Sequence, residues 1–350
     1  MATPVALAAG LNKAARNHIL IRDTSALEQM RNVDVVVFDK TGTLTEGHPT
    51  VIGWLWAQGQ EEHYKDVLLA AESTSGHPLA EAIVTALEGE EQVIPAHLDG
   101  FENITGKGVR VAYQGAEYWV GSHKLLKDYQ ANLSDILADM LTQYESDGNS
   151  IVYFGRENDL LAVIAIKDQL RVTSMEAIRE LRTQDIEICM LTGDGERTAS
   201  SVAGSLGIMR FVADAMPDDK EDFIHKLQLQ GKTVAMVGDG VNDARALSCA
   251  DVSIAMGKGT DTLMDTAMIT LRTSDLLLLP KVFRLSRQTV SLMYRNLFWA
   301  FIYNTVGIFV AAGVLYPVYD ILLSPALAGA AMALSCVSVA LSSLRLSSRF

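Results

Sequence analysis

Acidic residues follow apolar runs at two places where they could do chemistry. Asp39 comes directly after the β-branched run 33–38, and Asp239 and Asp243 come after the run 233–237. Runs of this kind are typical of parallel strands buried on both faces, and the carboxyl ends of such strands meet at one edge of the sheet. A carboxylate at this edge can attack phosphorus and form an aspartyl phosphate, while further carboxylates suit Mg²⁺.

Polar residues near these carboxylates offer groups for a phosphate. The turn 41–43 after Asp39 presents backbone N–H groups, and Lys40 adds positive charge. Thr192 and Lys220 are placed to bind the transferred phosphoryl group. A lone Asp-Gly or Asn-Asp pair is usually a simple turn. Four such loops at strand ends indicate phosphoryl transfer, which depends mainly on positioning and charge neutralisation.

Strand-like and helical patterns alternate around these loops. Helical patterns cover 173–183, 196–206 and 220–230. This alternation predicts an α/β fold with a doubly wound parallel sheet. Residues 47–160 interrupt it with helical stretches and short strand-like pieces, which predicts an inserted α+β domain.

Composition limits the class of protein. The 350 residues are 49% hydrophobic with a net charge of −13, and the mean hydropathy is +0.17. Cys189, Cys249 and Cys336 form no Cys-x-x-Cys pair, which argues against a disulfide scaffold and a zinc ribbon. The acidic balance argues against a nucleic-acid partner. The charge is uneven, because residues 281–350 carry a net of +5 and the first 280 residues a net of −18.

The basic tail contains two uncharged runs, 297–316 and 321–343, separated by a break that includes Asp320. Each is as long as the roughly 20 apolar residues that a membrane helix needs. Arginines flank the pair on both outer sides, which predicts a transmembrane hairpin with both ends in the cytoplasm. The alternative is a buried helical hairpin in a large soluble core.

Six motifs resemble those of a known family. Four are similar to the phosphorylation-domain motifs of P-type ATPases, within the haloacid-dehalogenase-like phosphotransferase superfamily: DKTGTLT (39–45), MLTGDGERTA (190–199), MPDDK (216–220) and VGDGVNDARAL (237–247). Two more, at 75–79 and 106–108, resemble nucleotide-domain motifs of the heavy-metal-transporting branch. The resemblance extends over essentially the whole chain, including the tail.

The resemblance implies roles in phosphoryl transfer. Asp39 is expected to be the phosphorylated nucleophile, and Mg²⁺ is expected to bind Asp39, Asp239 and the carbonyl of Thr41. The residues expected to hold the phosphate or support the site are Thr41, Thr192, Lys220, Asn242 and Asp243.

The resemblance also implies that ATP is the substrate. Gly193 and Asp194 are expected in a hinge loop that approaches the nucleotide. The residues expected to line the adenine pocket are Glu72, His77, Gly106 and Gly108. Taken alone, His77 before Pro78 would more often mark the start of a helix.

The tail resembles the copper(I)-exporting subgroup. Tyr303 and Asn304 match its Tyr-Asn pair, and Met332 and Ser335 match part of its Met-x-x-Ser-Ser. A thioether suits Cu(I), whereas zinc or cadmium favours carboxylates or more basic groups. Neither run contains an acid or a lysine. Zinc or cadmium remains the alternative cargo, and simple helix packing is an alternative role for these residues.

The sequence predicts the following domain organisation: 1–30, the end of a membrane helix and a stalk; 31–46 and 161–275, a phosphorylation domain; 47–160, a nucleotide-binding domain; and 276–350, a stalk and two transmembrane helices. The family's Cys-Pro-Cys and Thr-Gly-Glu motifs are absent. We therefore expect the C-terminal half of a pump in the plasma or inner membrane, with cytoplasmic soluble domains. Its expected partners are ATP, Cu(I) or another soft metal ion, membrane lipid and the N-terminal half of the pump.

Two other functions remain open. A haloacid-dehalogenase-like phosphatase generally carries a second Asp two residues after the nucleophile, but Thr41 stands there. Threonine cannot act as the acid or base, which favours a long-lived phosphoenzyme. The other alternative is a regulatory or assembly partner without transport activity, which the retained Asp39, Asp239, Asp243 and Lys220 argue against.

Overall fold

The computed structural model describes residues 2–57, 61–90, 93–131, 135–239, 243–257, 266–312, and the single positions 329, 333, 337, 339 and 342. The strands in these ranges are β1 (Ile19–Ile21), β2 (Val35–Asp39), β3 (Thr50–Trp56), β4 (Gly100–Ile104), β5 (Gly108–Tyr113), β6 (Ala116–Gly121), β7 (Ser150–Arg156), β8 (Asp159–Lys167), β9 (Glu187–Leu191), β10 (Arg210–Val212), β11 (Val234–Gly238), β12 (Val252–Met256) and β13 (Ile269–Leu271). The helices are α1 (Ala2–Arg16), α2 (Ser25–Met30), α3 (Glu61–Ser73), α4 (Pro78–Glu88), α5 (His123–Asp128), α6 (Asp135–Ser146), α7 (Ser174–Arg182), α8 (Glu196–Leu206), α9 (Pro217–Leu229), α10 (Ala244–Cys249) and α11 (Leu278–Ala311).

A seven-stranded sheet forms the centre of the first unit, which we call the α/β unit. Its strand order is β1-β13-β12-β11-β2-β9-β10, and every neighbouring pair is parallel except the antiparallel edge strand β1. All five residues of β2 are buried, as its β-branched composition predicts. This sheet confirms the predicted α/β fold.

Helices cover both faces of this sheet. Residues of α2, α7, α8 and the first half of α11 pack into one hydrophobic core, and residues of α9 and α10 pack into the core on the other face. The sheet is therefore doubly wound. Because its central strands are parallel, their carboxyl ends lie along one edge, where β2, β9 and β11 are adjacent.

The second unit, which we call the inserted unit, is an antiparallel six-stranded sheet in the order β3-β8-β7-β6-β5-β4. One face packs against α3 and α4, and the other against α5 and α6. Its chain leaves the α/β unit after β2 and returns before α7, as the interruption of the strand–helix pattern predicts.

The unit boundaries differ from the predicted ones. All of β8 pairs within the inserted sheet, so the boundary lies beyond residue 167 instead of at 160. Both β1 and α2 belong to the α/β unit, because β1 pairs with β13 and α2 contributes Ala26 and Met30 to its core. These elements therefore pack with the α/β unit, whereas the predicted organisation placed residues 1–30 in a membrane-helix end and a stalk. The apolar composition of β8 resembles that of a buried parallel strand, which explains its misassignment.

Helix α11 has two contrasting halves. Its first half is buried against the α/β unit, with Val282 and Phe283 fully buried, while Phe298 and Phe301 in its second half are exposed. Gly10 of α1 lies so close to α11 that a Cβ there would stand 2.6 Å from the Thr289 hydroxyl. The predicted stalk from residue 276 is thus integral to the core of the α/β unit.

Across the described ranges, no helix is both long and apolar enough to cross a membrane. The run 297–316 is described only as far as residue 312, and the run 321–343 only at the five single positions.

Replacing Phe283 by Ala tests how α11 is packed. Phe283 is completely buried, so we expect Phe283→Ala to lower the free energy of unfolding by about 3–5 kcal/mol. The matched change Phe298→Ala, on the exposed half of the same helix, should shift it by no more than about 0.5 kcal/mol. Urea unfolding in detergent measures both. Equal losses for the two variants would contradict the described packing.

Candidate active site

Asp39 lies at the carboxyl end of β2 and is buried. The next residues form a tight loop over 40–44, in which Gly42 has a φ of +72°, a conformation that favours glycine. A Cβ on Gly42 would stand 1.5 Å from a carboxylate oxygen of Asp239. The glycine therefore lets the loop after Asp39 approach the Asp239 side chain closely.

Lys220 connects two carboxylates of the site. It lies in the first turn of α9, whose start is fixed by Pro217 and by a hydrogen bond from the Met216 N–H to Asp219. Its Nζ donates to Oδ1 of Asp39 at 2.6 Å and to Oδ1 of Asp243 at 2.7 Å. Although burial alone would lower the pKa of Lys220, these two carboxylates raise it, so the ammonium stays charged.

Three carboxylates converge beside Lys220. One oxygen from each of Asp39, Asp239 and Asp243 lies within 4.8 Å of the others. Burial, and then the negative charge of Asp39, raises the pKa of both Asp239 and Asp243 to about 7. A single ammonium does not neutralise this cluster, and oxygen ligands are what Mg²⁺ prefers, so the residues fit the predicted cation. Asp243, which was expected to support the site, lies in the same cluster of carboxylates.

Thr192 and Asp194 follow β9, whose last residue pairs with Asp39. Thr192 is buried, and its Oγ1 accepts a hydrogen bond from the Asp194 N–H at 3.1 Å. Gly193 lies between them in the same loop. The structure thus brings Thr192 to the edge that carries Asp39, as predicted.

Lys40 differs from its predicted role. Its Nζ is paired with the carboxylate of Asp194 and donates to the Ser150 hydroxyl at 3.1 Å, instead of facing Asp39. Although burial opposes the change, Lys40 lowers the pKa of Asp194, which favours the ionised carboxylate. Ser150 belongs to the inserted unit and also donates to Asp194 at 2.9 Å. Lys40 therefore links the loop after Asp39 to both units.

Arg171 is a site residue that the sequence reasoning missed. It is buried at the start of the return to the α/β unit, and its guanidinium donates to the carbonyls of Gly42 and Thr43. Its positive charge also lowers the pKa of Asp239, in opposition to burial and to the charge of Asp39. Nearby, Asp168 accepts hydrogen bonds from the Thr45 hydroxyl and the Gly47 N–H. Asp168 and Arg171 come directly after an apolar strand, and this pattern was the signal from which their place in the site could have been predicted.

The predicted adenine-pocket residues lie on the inserted unit. Glu72 is buried at the end of α3, and burial raises its pKa to about 7. His77 caps α4 by accepting the Leu79 N–H at 3.2 Å, in agreement with the helix-start alternative. Desolvation lowers the pKa of His77, while Asp194 raises it and Lys40 lowers it further.

Gly106 and Gly108 lie at the β4–β5 turn with positive φ. A Cβ on Gly108 would stand 2.1 Å from the Val120 carbonyl, so Gly108 is needed for close strand packing. A Cβ on Gly106 would stand 2.9 Å from Cε of Met216, immediately before α9. Gly106 therefore lies against the α/β unit, where the two units meet.

Further hydrogen bonds hold the two units together. Thr198 of α8 donates to the Asn149 carbonyl at 2.7 Å, and Lys124 of α5 donates to the Asp214 carbonyl at 2.5 Å. With the Lys40–Asp194–Ser150 contacts, they place the inserted unit directly over the strand ends.

Five predicted site residues need separate mention. Tyr303 and Asn304 lie on the exposed second half of α11, away from the strand edge. Asn242, Met332 and Ser335 lie outside the described residues, as does the loop between Asp239 and Asp243.

The thiol of Cys189 is buried within β9, and burial raises its pKa to about 12, so it is unreactive.

Curated relatives match nearly the whole chain. It is 42% identical over 346 residues to a copper-exporting P-type ATPase of Legionella pneumophila, which covers 99% of this chain and 47% of the relative. It is 43% identical to a silver exporting P-type ATPase of Salmonella typhimurium, over 99% of this chain and 42% of the relative. The chain thus spans about half the length of the curated relatives it matches. The predicted resemblance to heavy-metal P-type ATPases is confirmed.

Solved structures of metal-transporting ATPases also match the chain. A zinc-transporting PIB-type ATPase in the E2.Pi state matches with a TM-score of 0.68 and 35% identity, covering 99% of this chain and 55% of that one. The catalytic domain of the CPx-ATPase CopB-B matches with a TM-score of 0.65 and 28% identity, covering 78% of this chain and 97% of that one. A profile described as haloacid dehalogenase-like hydrolase matches residues 33–251. With Asp39, Lys220 and Asp243 joined at the strand ends, the chain belongs to the haloacid dehalogenase-like hydrolase family.

Proposed function

We propose that this chain is the C-terminal part of an ATP-driven heavy-metal cation pump, phosphorylated by ATP on Asp39. The observation that carries the proposal is the Lys220 ammonium held between Asp39 and Asp243 at 2.6 and 2.7 Å. Such a charge beside a buried carboxylate neutralises an incoming phosphate without blocking its attack.

The arrangement of Lys220 and the carboxylates supports the following phosphoryl transfer from ATP to Asp39. A carboxylate oxygen of Asp39 attacks the γ-phosphorus of ATP, the bond from phosphorus to the bridging oxygen breaks, and ADP leaves with that oxygen. Lys220 and the Thr192 hydroxyl bind the oxygens of the transferred group. Asp39, Asp239 and Asp243 would hold Mg²⁺, which supplies charge neutralisation at the phosphate.

The same geometry favours a phosphoenzyme over a simple phosphatase. Hydrolysis of the acyl phosphate needs a base to activate water, and Thr41, two residues after Asp39, carries none. Arg171 instead fixes the carbonyls of this loop. An inactive assembly partner is disfavoured, because a buried charged cluster is costly to keep without a function.

The boundary between the two units supports ATP as the phosphoryl donor. Gly106 of the inserted unit lies against Met216 there, directly before α9, and the charges of Asp194 and Lys40 act on His77. A flat imidazole and exposed glycine backbone offer a close-fitting surface for a purine base.

Membrane and metal assignments are part of the same proposal. Large apolar side chains are exposed along the second half of α11: Phe298, Trp299, Phe301, Tyr303, Ile308 and Phe309. Such a surface suits lipid, and it begins within the run 297–316, so we propose a membrane location with the two units in the cytoplasm. We assign this run and 321–343 to a transmembrane hairpin that works with the N-terminal half of the pump.

Cu(I) is the proposed transported ion. The copper- and silver-exporting relatives support it, as does the soft thioether of Met332 in the sequence. Tyr303, Asn304 and Ser335 complete the proposed set. Zinc or cadmium is the alternative, which the structural neighbour named as zinc-transporting keeps open.

The nucleophile is tested by replacing Asp39 with Asn. We expect Asp39→Asn to abolish acid-stable labelling by γ-³²P-ATP, because an amide cannot form the acyl phosphate. Asp34→Asn, before the opposite end of β2, is the matched control and should label normally. Equal labelling of Asp39→Asn and the unmodified chain would defeat the assignment.

The role of Lys220 is tested within one helix. Removing a charge that stabilises the transferring phosphoryl group typically costs about 10²–10³ in rate. We expect a loss of this size in the rate of phosphoenzyme formation for Lys220→Ala. Lys226→Ala, in the last turn of α9, should change it less than about twofold. Similar rates for both variants would remove Lys220 from the mechanism.

The carboxylate cluster predicts an unusual dependence on pH. Without Mg²⁺, Asp239 and Asp243 keep their protons in the folded state up to about pH 7, above the ordinary value of 3.8. The folded state then binds more protons than the unfolded state, so the free energy of unfolding should fall as pH rises from about 4 to about 7. Urea titrations in EDTA should show this slope, and Asp239→Asn or added Mg²⁺ should reduce it. An unchanged slope in Asp239→Asn would contradict the cluster.

A further inference from the structure

A second group of metal-binding side chains lies on the surface of the α/β unit, between α9 and α10. Glu221 and His225 lie four residues apart on α9, and Cys249 is the last residue of α10. The Cys249 Sγ is 3.5 Å from Oε1 of Glu221, and Nε2 of His225 is 3.8 Å from the same oxygen. One ligand atom from each residue lies within 4.8 Å of the other two.

These separations suit one tetrahedral ion. Zinc bonds of about 2.3 Å to sulfur and about 2.0 Å to nitrogen or oxygen place neighbouring ligand atoms roughly 3.3–3.6 Å apart. The two measured distances lie within a few tenths of an ångström of this range. The side chains of Glu221 and His225 are partly exposed, at 34% and 51%, and can make such an adjustment.

Gln228 orients the ring of His225 for metal binding. Its amide nitrogen donates to the Cys249 carbonyl at 2.8 Å and to a carboxylate oxygen of Asp251 at 3.3 Å. Its Oε1 therefore faces Nδ1 of His225, at 3.1 Å, and requires the ring proton to be on Nδ1. The other ring nitrogen, Nε2, faces Glu221 at 3.8 Å and binds a metal ion when it carries no proton. This arrangement, in which the second ring nitrogen donates to an oxygen, is typical of metal-binding histidines.

An open cavity of about 490 Å³ adjoins the group, lined by Glu221, Ala244, Arg245, Ser248 and Cys249. It gives an ion a route to the thiol and leaves space for a water molecule as fourth ligand. Among the described residues, Arg245 is the one cation lining it, and its guanidinium is paired with Asp218 at 2.5 Å, which offsets its charge.

We propose that Glu221, His225 and Cys249 form a binding site for a divalent ion of the zinc class, with water as the fourth ligand. The combination of thiolate, imidazole and carboxylate is a borderline set that suits Zn²⁺ or Co²⁺, whereas Mg²⁺ prefers oxygen ligands alone. The ion displaces the Cys249 thiol proton, which passes to solvent, and replaces the thiol's hydrogen bond to Glu221.

The site is separate from the proposed magnesium cluster, yet it is connected to it. Glu221 follows Lys220 directly on α9, and α10 begins directly after Asp243. A metal ion bridging the two helices therefore ties together the elements that carry both partners of the ion pair between Lys220 and Asp243. Without a metal, the same residues make an ordinary polar contact between helices.

Cobalt absorption tests the proposal on the full chain in detergent. We expect Co²⁺, added with excess Mg²⁺ to occupy the carboxylate cluster, to bind one equivalent. A thiolate-to-cobalt charge-transfer band should appear in the near ultraviolet, with visible bands of tetrahedral intensity. Added Zn²⁺ should displace the cobalt and remove these bands.

Matched variants assign the ligands. Cys249→Ser should remove the charge-transfer band, and His225→Asn should weaken binding at least about tenfold. Ser248→Ala, which changes a cavity residue that is not a ligand, should leave both unchanged. Circular dichroism confirms that each variant is folded. A band of full intensity in Cys249→Ser, or cobalt binding with no charge-transfer band in the unmodified chain, would overturn the proposal.

Discussion

The ammonium of Lys220 lies between two buried carboxylates, and much of the fold serves to keep it there. Asp39 comes from the end of the central strand β2, Asp243 from the start of α10, and Lys220 from the start of α9. The parallel sheet, in which β2 and β11 are adjacent, brings these three chain segments together. Removing one partner would leave a buried charge uncompensated, which is why the arrangement constrains the surrounding helices.

The inserted unit is coupled to the same loop through a different cation. Lys40 directly follows Asp39, yet its side chain contacts Asp194 and Ser150. Because Ser150 belongs to the inserted unit, movement of that unit changes the surroundings of the loop that carries the nucleophile. On the other side, Arg171 holds the loop carbonyls of Gly42 and Thr43. The loop is thus held by two charged side chains, and the contact of Lys40 with Ser150 depends on the position of the inserted unit.

Much of this organisation was predictable, since it depends on local patterns. The apolar runs before Asp39 and Asp239 predicted buried parallel strands, and α8 has the predicted bounds of 196–206. Long-range pairing was not predictable in this way. The composition of β8 suits either sheet, and only its antiparallel pairing with β3 and β7 assigns it. The contacts of Lys40 differed from its predicted role, and Arg171 was missed. The spacing of residues along the sequence does not determine the direction of a side chain or its long-range partners.

The central claim is that Asp39 carries the phosphoryl group, and its most direct test is chemical mapping of the modified residue. The chain is incubated with Mg-ATP, quenched in acid and reduced with borohydride, which converts an aspartyl phosphate to homoserine. Tandem mass spectrometry then locates the change. The account predicts homoserine at position 39 and at no other carboxylate. Homoserine at Asp239, Asp243 or elsewhere, or phosphoryl transfer with position 39 unmodified, would contradict it.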